Sequence, residues 1–446
     1  MTLREDTLEK AADRHGTPLY LYSEDSMDQN FERFRKAFRG YPDSRFAFSM
    51  KGTPLPEIIK IFERKNMLFE ITSLGDMQLL SQMGIDLARC IYTSIYKTNE
   101  SIEFGLRNGI GVFAVDSHSD LRRIEAAAKR TSKEADVLVR VNPGIEMQRT
   151  VFASAVPWSK TGAQIECKGS PDCAEALVRR TSESKKLHLL GLHGHIGSQV
   201  SDPRYYEEFV SAMLKFHLSM EQKHGLSFEV LDLGGGYPYG YVPNATVPTV
   251  DDIARGIITR IKESGTKPRL IIESGRYFVA DAGVLLTRVV GTKYNPLVGK
   301  IVIVDAGMYN QLLDTMLVSW YFGVRNISNP KGDVETVKIV GCTNDSVDQL
   351  DRRFDVFNSP LRGSEAIVAE KLPGSEVEVL KRSLPSVNEG DLLAIDNAGA
   401  YTLCFNNNYC MLPVSPVLLR KSNGELAVIR KPQTFTDMTS SFVWGD

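Results

Sequence analysis

Cysteine is scarce in this chain of 446 residues, which has six, and no two of them form a Cys-x-x-Cys pair. The seven histidines are scattered along the sequence. This pattern argues against a structural zinc site and against a disulfide-dependent scaffold, and it favours a reducing compartment. We therefore expect no bound metal and a cytoplasmic location.

Long hydrophobic runs and an excess of charge of one sign are also missing. Apolar stretches such as Ile301–Val304 are far shorter than the roughly 18 residues that a membrane helix needs. The charged start, Met1 to Asp6, has no apolar secretory segment. Because 53 Lys and Arg face 55 Asp and Glu, we expect neither a nucleic acid nor a membrane as a partner. A soluble enzyme acting on a small molecule is the first expectation.

Strand-like segments alternate with amphipathic helical stretches between residues 46 and 273. In chain order the predicted strands are Phe46–Met50, Leu68–Thr72, Cys90–Ser94, Val112–Asp116, Val137–Val141, Leu189–Gly194, Glu229–Leu233 and Leu270–Glu273. Eight strands that alternate with helices are typical of a (β/α)8 barrel, the TIM-barrel class of α/β fold.

The pattern changes after Ala282. Helical periodicity weakens, and strand-like segments separated by turn signals predict a second, all-β domain, with strands at Lys300–Val304, Val337–Val340, Leu392–Asp396 and Leu426–Arg430. The apolar stretch Leu19–Tyr22 precedes the barrel and is expected to pack on this β domain. We thus predict an N-terminal segment (1–30), a barrel (31–282) and a β domain (283–446).

Residues with useful chemistry follow four of the predicted barrel strands. They are Lys51, the segment His193–Ser198, the run Gly234–Gly236 and the segment Glu273–Arg276. Each alone has an ordinary structural explanation, but the carboxyl ends of barrel strands share one rim, where active sites form. The loops after strands seven and eight often hold a phosphate there, with glycine amides and an arginine as donors.

A phosphate pocket beside a lysine, a histidine and a glutamate suggests pyridoxal 5'-phosphate. The lysine would hold the aldehyde as a Schiff base, and a carboxylate opposite the pyridine nitrogen would keep the ring a strong electron sink. An imidazole would stack on the ring.

The same motifs, in this order, resemble the fold-type III pyridoxal-phosphate-dependent amino-acid decarboxylases, the group of diaminopimelate and ornithine decarboxylases, over nearly the whole chain. The matching segments are Phe46–Lys51, His193–Ser198, Gly234–Gly236, Glu273–Arg276 and Gly399–Tyr401. The resemblance implies a homodimer with shared active sites. It also implies that the cofactor is bound by Lys51, His195, Ser198, Gly234, Gly235, Gly236, Glu273, Gly275, Arg276 and Tyr401.

Within this set the resemblance assigns the Schiff base to Lys51, ring stacking to His195 and the pyridine nitrogen to Glu273. The remaining residues would bind the phosphate, Tyr401 reaching it from the β domain. The segment that begins at Asp305 and includes Tyr309 resembles the start of the family's substrate loop.

One departure concerns the proton donor. The family places a cysteine where this chain has Asn344, within Gly341–Asp348. That cysteine is thought to return a proton to Cα after carbon dioxide leaves, and an amide cannot act as a general acid at neutral pH. Cys342 lies two residues away and could serve only if the loop changed register. Asp345 keeps the carboxylate that meets a distal amino group.

A second departure concerns diaminopimelate. In the family that this chain resembles, diaminopimelate decarboxylases use an arginine and a tyrosine for the distal carboxylate, and the matching positions here are Leu313 and Leu317. Because a buried carboxylate without a cationic partner is costly, diaminopimelate is the less expected substrate.

The resulting prediction is decarboxylation of a basic or amine-bearing amino acid to an amine. Lys51, Glu273, His195, Asn344 and Cys342 are the candidate catalytic residues, and Asp345 and Tyr309 are the candidate substrate contacts. Three alternatives stay open: a decarboxylation-dependent transaminase or oxidative deaminase, an amino-acid racemase, and a non-catalytic cofactor-binding protein.

Overall fold

The structure is a computed structural model. It describes residues 3–147, 152–166, 169–170, 173–242, 247–312, 321–350, 367–372 and 378–444. The chain divides into two compact units, one of Asn30–Tyr239 with Val247–Tyr277 and the other of Met1–Gln29, Gly240–Thr246 and Phe278–Asp446.

The chain opens with helix α1 (Glu5–His15) and strand β1 (Leu19–Ser23). The helix was not predicted from the sequence, because only Leu8, Ala11 and Ala12 form its buried stripe. That stripe packs into a core cluster with the leucines of β1.

Eight parallel strands form the first unit's barrel. Its strands, with one short addition at β7, are β2 (Ser44–Ser49), β3 (Leu68–Ile71), β4 (Cys90–Tyr92), β5 (Val112–Val115), β6 (Ala135–Asn142), β7 (Ala163–Gln164), β8 (Leu187–His193), β9 (Val230–Asp232) and β10 (Arg269–Ser274). The sheet closes because β2 pairs with β10 and β5 pairs with β6. The barrel prediction is confirmed, and each predicted strand end lies within two residues of the observed one.

Helices connect the barrel strands. They are α2 (Glu24–Ala37), α3 (Pro56–Glu63), α4 (Leu74–Gln82), α5 (Asn99–Arg107), α6 (His118–Thr131), α7 (Ala174–Ser182), α8 (Pro203–His224), α9 (Val250–Ser264) and α10 (Arg276–Val279). Inside the barrel, apolar side chains from six strands form one buried cluster: Ala47, Ile91, Val112, Leu138, Val230 and Ile271. This layer fills the barrel, so polar groups collect at the strand ends.

A ten-stranded sheet builds the second unit. Its other elements are β11 (Gly283–Asn295), β12 (Gly299–Val304), α11 (Met308–Leu312), β13 (Val324–Asn326), β14 (Val334–Val340), β15 (Ile367–Lys371), β16 (Glu378–Pro385), β17 (Leu392–Ile395), β18 (Val417–Arg420), β19 (Leu426–Arg430) and α12 (Phe435–Thr439). Strand β1 lies between β11 and β18, antiparallel to the first and parallel to the second. The predicted pairing of the N-terminal strand with the β domain is confirmed.

Two further findings concern the composition-based expectations. Cys173 is disulfide-bonded, which the low cysteine count did not predict, whereas Cys90, Cys342 and Cys410 are free thiols. Among the residues described here, no helix combines the length and the apolar character needed to cross a membrane.

A fully buried ion pair holds the loop between β4 and α5. Lys97 Nζ lies 2.7 Å from Asp120 Oδ2, and neither side chain is exposed. The ammonium also donates to the carbonyl oxygens of Ser94 and Ala114, each at 2.7 Å, so all three of its protons are used. Burial lowers the pKa of Lys97, which Asp120 opposes.

We expect Lys97→Ala to lower the free energy of unfolding by about 3–5 kcal/mol, because it leaves the buried Asp120 carboxylate with only the more distant Arg123 cation, whose Nη2 lies 3.7 Å from Oδ1. Urea unfolding of the purified variant measures this loss. Lys60→Ala is the matched control: Lys60 pairs with Glu57 at the surface, and removing it should cost less than about 1 kcal/mol. Equal losses in both variants would contradict a special role for the buried pair.

Candidate active site

The carboxyl ends of the barrel strands bring several predicted residues to one rim. Lys51 follows β2, His193 ends β8, and Glu273 lies near the end of β10. Glu70 of β3 and Asp232 of β9 join them, although neither was singled out from the sequence. The site therefore combines one lysine, one histidine pair and three carboxyl groups within a single unit of the chain.

Lys51 is held by Glu70. The lysine side chain is 44% exposed and its ammonium forms a short ion pair with Glu70, whose side chain is almost fully buried. The hydroxyl of Thr93 donates to the other Glu70 oxygen. Burial disfavours the charged form of Glu70, but the Lys51 ammonium and the hydrogen bonds from Lys51 and Thr93 outweigh this and lower its pKa to about 2.

Glu70 could have been found from the sequence. It stands between Phe69 and Ile71 in an otherwise apolar strand, and all three side chains are buried. A charged residue inside such a strand needs a partner. The single charged residue in an apolar strand was visible in the sequence, but it did not identify Lys51 as the partner. The two residues meet only when β2 and β3 pair.

His193, Asp232 and Glu273 form a second, deeper group. They lie at the ends of β8, β9 and β10 with exposures of 1%, 0% and 3%. His193 Nε2 lies 3.4 Å from Glu273 Oε1, and Gly234 N donates to Asp232 Oδ1 at 2.9 Å. Burial and the charge of Glu70 raise the pKa of Glu273 to about 8. Burial and the charge of Glu273 raise that of Asp232 well above its usual range.

His195, the predicted ring-stacking residue, is fixed in its neutral form. Its Nδ1 accepts a hydrogen bond of 3.0 Å from Gly235 N, so the ring proton is on Nε2. Burial, together with the positive charges of Arg140 and Lys51, holds the pKa of His195 well below its ordinary value. A neutral imidazole with a fixed tautomer is a suitable flat partner for a planar ring.

The glycine run packs tightly against the segment after β8. Gly234 has φ +62°, and a Cβ there would stand 2.5 Å from Gly194 O. Gly236 has φ +115°, and its Cβ would stand 2.7 Å from Ile196 Cγ2. Only glycine fits at these two positions. The amides of Gly234 and Gly235 donate to Asp232 and His195, respectively, so the glycine run links Asp232 of the deep group to His195.

The other residues of the barrel unit that were predicted to bind phosphate also follow barrel strands. Gly275 follows β10, and Arg276, 5% exposed, begins α10. Ser198 follows β8 and its backbone amide donates to Phe152 O at 3.1 Å. Their contacts with phosphate stay a prediction.

In the β-domain unit, Asp348 fixes the loop that carries Asn344. Its carboxylate accepts hydrogen bonds from Met308 N (2.7 Å), Thr343 N (3.0 Å) and Thr343 Oγ1 (2.6 Å). A shift of two residues, which would move Cys342 to the position of Asn344, would break the two hydrogen bonds from Thr343. Cys342 Sγ instead donates to Asp305 O at 3.4 Å.

The remaining β-domain candidates are spread over three segments. Tyr409 OH donates to Asp345 Oδ2 at 2.8 Å, which fixes that carboxylate, and Asn344 is exposed. Tyr309 OH donates to Asp305 O at 2.6 Å. Tyr401 has a left-handed backbone, φ +58°. Leu313 and Leu317, the basis for disfavouring diaminopimelate, lie outside the described residues.

The residues of the barrel rim fit pyridoxal phosphate. The rim offers a reachable primary amine on Lys51, a neutral imidazole, and a buried acid whose Oε1 has no hydrogen-bond partner when ionised. These features define a lysine-anchored cofactor enzyme on a (β/α)8 barrel.

Comparisons with known proteins show which family the chain belongs to. The family model described as "Pyridoxal-dependent decarboxylase, pyridoxal binding domain" matches residues 24–280. The chain therefore belongs to the pyridoxal-dependent decarboxylase family, and the predictions of the family, of a carboxy-lyase and of the cofactor are confirmed.

The similarity to known relatives extends over most of their length. The chain is 28% identical to the diaminopimelate decarboxylase of Aquifex aeolicus over 436 residues, 96% of this chain and 92% of the relative. The crystal structure of the Methanocaldococcus jannaschii enzyme with L-lysine superposes with a TM-score of 0.86 at 26% identity, over 98% and 94% of the two chains. The crystal structure of the Helicobacter pylori diaminopimelate decarboxylase with L-lysine gives a TM-score of 0.82 at 25% identity, over 97% of this chain and 98% of that chain.

Proposed function

We propose that this protein removes the α-carboxylate of an amino acid that carries a second, distal amino group. The observation that carries the proposal is the rim itself, where Lys51 is held by Glu70 beside the buried acid Glu273. The relatives named diaminopimelate decarboxylase support it. Because these relatives are named for diaminopimelate, they do not support the prediction that diaminopimelate is the less expected substrate. That compound has a distal amino group, and it belongs to the proposed substrate class.

Each rim residue has a proposed task. Pyridoxal phosphate, when bound, supplies a conjugated ring that accepts the electron pair left by the departing carboxylate. Lys51 holds the cofactor and is kept at the rim by the Glu70 anion. His195, neutral and held by Gly235, would contact the cofactor ring. Glu273 would stabilise the protonated form of the ring nitrogen.

The distal amino group is assigned to Asp345. An ammonium ion is attracted to a carboxylate that is already fixed in place, because less side-chain freedom is lost on binding. Tyr409 supplies that fixation through its 2.8 Å hydrogen bond. As in the family it resembles, we propose that the chain acts as a homodimer.

The substrate proposal is tested with the cofactor-loaded protein. Lysine, ornithine and meso-diaminopimelate, which carry a distal amino group, are compared with leucine and glutamate, in both enantiomers where they exist, by kcat/KM for carbon dioxide release. We expect turnover only for substrates with a distal amino group. Equal rates with leucine would contradict the assignment of Asp345.

A second candidate activity follows from Asn344. Without an acid at this position, decarboxylation-dependent transamination would become possible. One water would supply the oxygen of a carbonyl product, and the amino group of the substrate would stay on the cofactor, so each site would act once. The hydrogen bonds of Asp348 favour this alternative, because they hold Cys342 away from the position of Asn344.

We expect Asn344→Cys to increase the ratio of amine to carbonyl product by about tenfold or more, because a thiol can donate the proton that an amide cannot. Product masses after complete turnover give this ratio. Asn344→Ser is the control, since a hydroxyl is of similar size but is a far weaker acid. An unchanged ratio in the cysteine variant would show that another group protonates Cα.

A further inference from the structure

The deep group of His193, Asp232 and Glu273 has more acceptors than donors. One ring nitrogen of His193 and one carboxylate oxygen each of Asp232 and Glu273 all lie within 4.8 Å of one another. With both carboxyl groups ionised, Asp232 Oδ2, Glu273 Oε1 and both ring nitrogens of His193 have no hydrogen-bond partner. Buried polar atoms are rarely left in this state, because each unmade hydrogen bond is costly.

One added proton gives a partner to three of these four atoms, all except His193 Nδ1. Two carboxylates so close together in a buried site cannot both ionise, since like charges at low dielectric repel strongly. Protonated Asp232 would donate from Oδ2 to Glu273, while its Oδ1 keeps the Gly234 amide. Neutral His193 would add a second donor from Nε2 at 3.4 Å.

The surrounding charges do not remove the need for that proton. The charged groups that face the deep group are Lys51 after β2, Glu70 of β3, Asp116 after β5 and Arg140 of β6. Two of these are cations and two are anions, so their formal charges cancel. His195 is neutral, as shown above.

We propose that Asp232 and His193 are positioning residues for Glu273, with Asp232 retaining a proton in the folded protein so that Glu273 is the one member that ionises opposite the cofactor. The inference rests on the proposed role of Glu273 at the ring nitrogen. Asp232 and His193 touch neither substrate nor cofactor in this account. They orient the Glu273 carboxyl, and they allow it to ionise only when a positively charged group lies opposite it.

The retained proton can be measured without cofactor or substrate. If folded Asp232 stays protonated while unfolded Asp232 ionises, the folded state holds one extra proton between about pH 5 and 8, and its stability falls as the pH rises. We expect the unfolding constant of the apoprotein to rise about tenfold more per pH unit in the wild type than in Asp232→Asn. Equal pH slopes would overturn the proposal.

A matched control lies on two strands of the same barrel, β6 and β8. Asp136 of β6 and His188 of β8 form an exposed pair, with His188 Nδ1 3.0 Å from Asp136 Oδ1. Asp136→Asn should keep the wild-type pH slope. If it changed the slope as much as Asp232→Asn does, the effect would not come from the deep group and the proposal would fail.

The affinity for the cofactor distinguishes a positioning role of Asp232 from a role in packing alone. Asp232→Asn keeps a donor toward Glu273 and an acceptor for Gly234, so its dissociation constant for pyridoxal phosphate should stay within about threefold of the wild type. Asp232→Ala removes both groups, and we expect its affinity to fall at least tenfold more than that of the asparagine variant. Equal affinities in the two variants would contradict the positioning role.

A measurement on the unmutated apoprotein covers the case in which the variants do not fold. Infrared spectra with ¹³C-labelled aspartate should show a protonated carboxylic acid band at pH 7, and its absence would overturn the proposal. Stabilisation of the apoprotein by added Zn²⁺ that depends on Asp232 would also overturn it. These outcomes do not involve turnover, so they stand apart from failure of the proposed function, which the substrate assay detects.

Discussion

Replacing Lys51 with alanine is expected to abolish covalent attachment of pyridoxal phosphate and to reduce decarboxylation by roughly 10³-fold or more, because no other amine can take over as the attached nucleophile. Borohydride reduction followed by intact mass measures the attachment directly. The wild type should gain the mass of one reduced cofactor, located on the peptide that contains Lys51. The variant should gain none.

The control for this variant must keep the charge beside Glu70. Removing Lys51 leaves an almost fully buried carboxylate without its ion-pair partner, which can disturb folding by itself. Lys51→Arg keeps a cation there but offers no amine to the cofactor. It should fold like the wild type and lack the attached cofactor. A normal reduced-cofactor mass in either variant would refute the role of Lys51.

The second large effect is expected for Glu273→Gln. Glutamine keeps the shape of the side chain but cannot carry the negative charge that stabilises a protonated ring nitrogen. We expect kcat to fall by roughly 10²-fold to 10³-fold, the cost of removing one well-placed electrostatic partner from an active site. The fold should be retained, because a neutral side chain suits a buried position.

Steady-state kinetics with the best substrate of the panel measure this loss. Glu57→Gln makes the same chemical change at the exposed end of α3, where Glu57 pairs with Lys60, and should leave kcat unchanged. Full activity in Glu273→Gln would show that the ring nitrogen does not depend on this carboxyl. An equal loss in both variants would point to a general effect of the substitution.

The barrel was predictable from the sequence because its strands are buried on both faces. Such strands are continuous apolar runs, as in Phe113, Ala114 and Val115 of β5, and they stand out between amphipathic helices. Helix α1 was missed because only one leucine and two alanines mark its buried face. Its helical pattern becomes informative only once the sheet beneath it is known.

The site was predictable where a residue type appears in a recognisable segment, as with Lys51 and His195. Glu70, His193 and Asp232 were not assigned roles, because their importance depends on pairing between neighbouring strands. His193 is opposite Asp232 in the register of β8 and β9, a relation that no local pattern contains. The hydrogen bonds that hold the Asn344 loop in register depend likewise on tertiary contacts of Asp348.

The most direct test of the account is the stoichiometry of one turnover assay on the cofactor-loaded wild-type protein. Each member of the panel of amino acids is incubated to completion, and carbon dioxide and organic product are quantified together. We expect one carbon dioxide for each amino acid consumed when the substrate carries a distal amino group. The organic product should be lighter than the substrate by the mass of that carbon dioxide. Conversion of one enantiomer into the other without carbon dioxide, or binding of the cofactor with no turnover of any panel member, would contradict it.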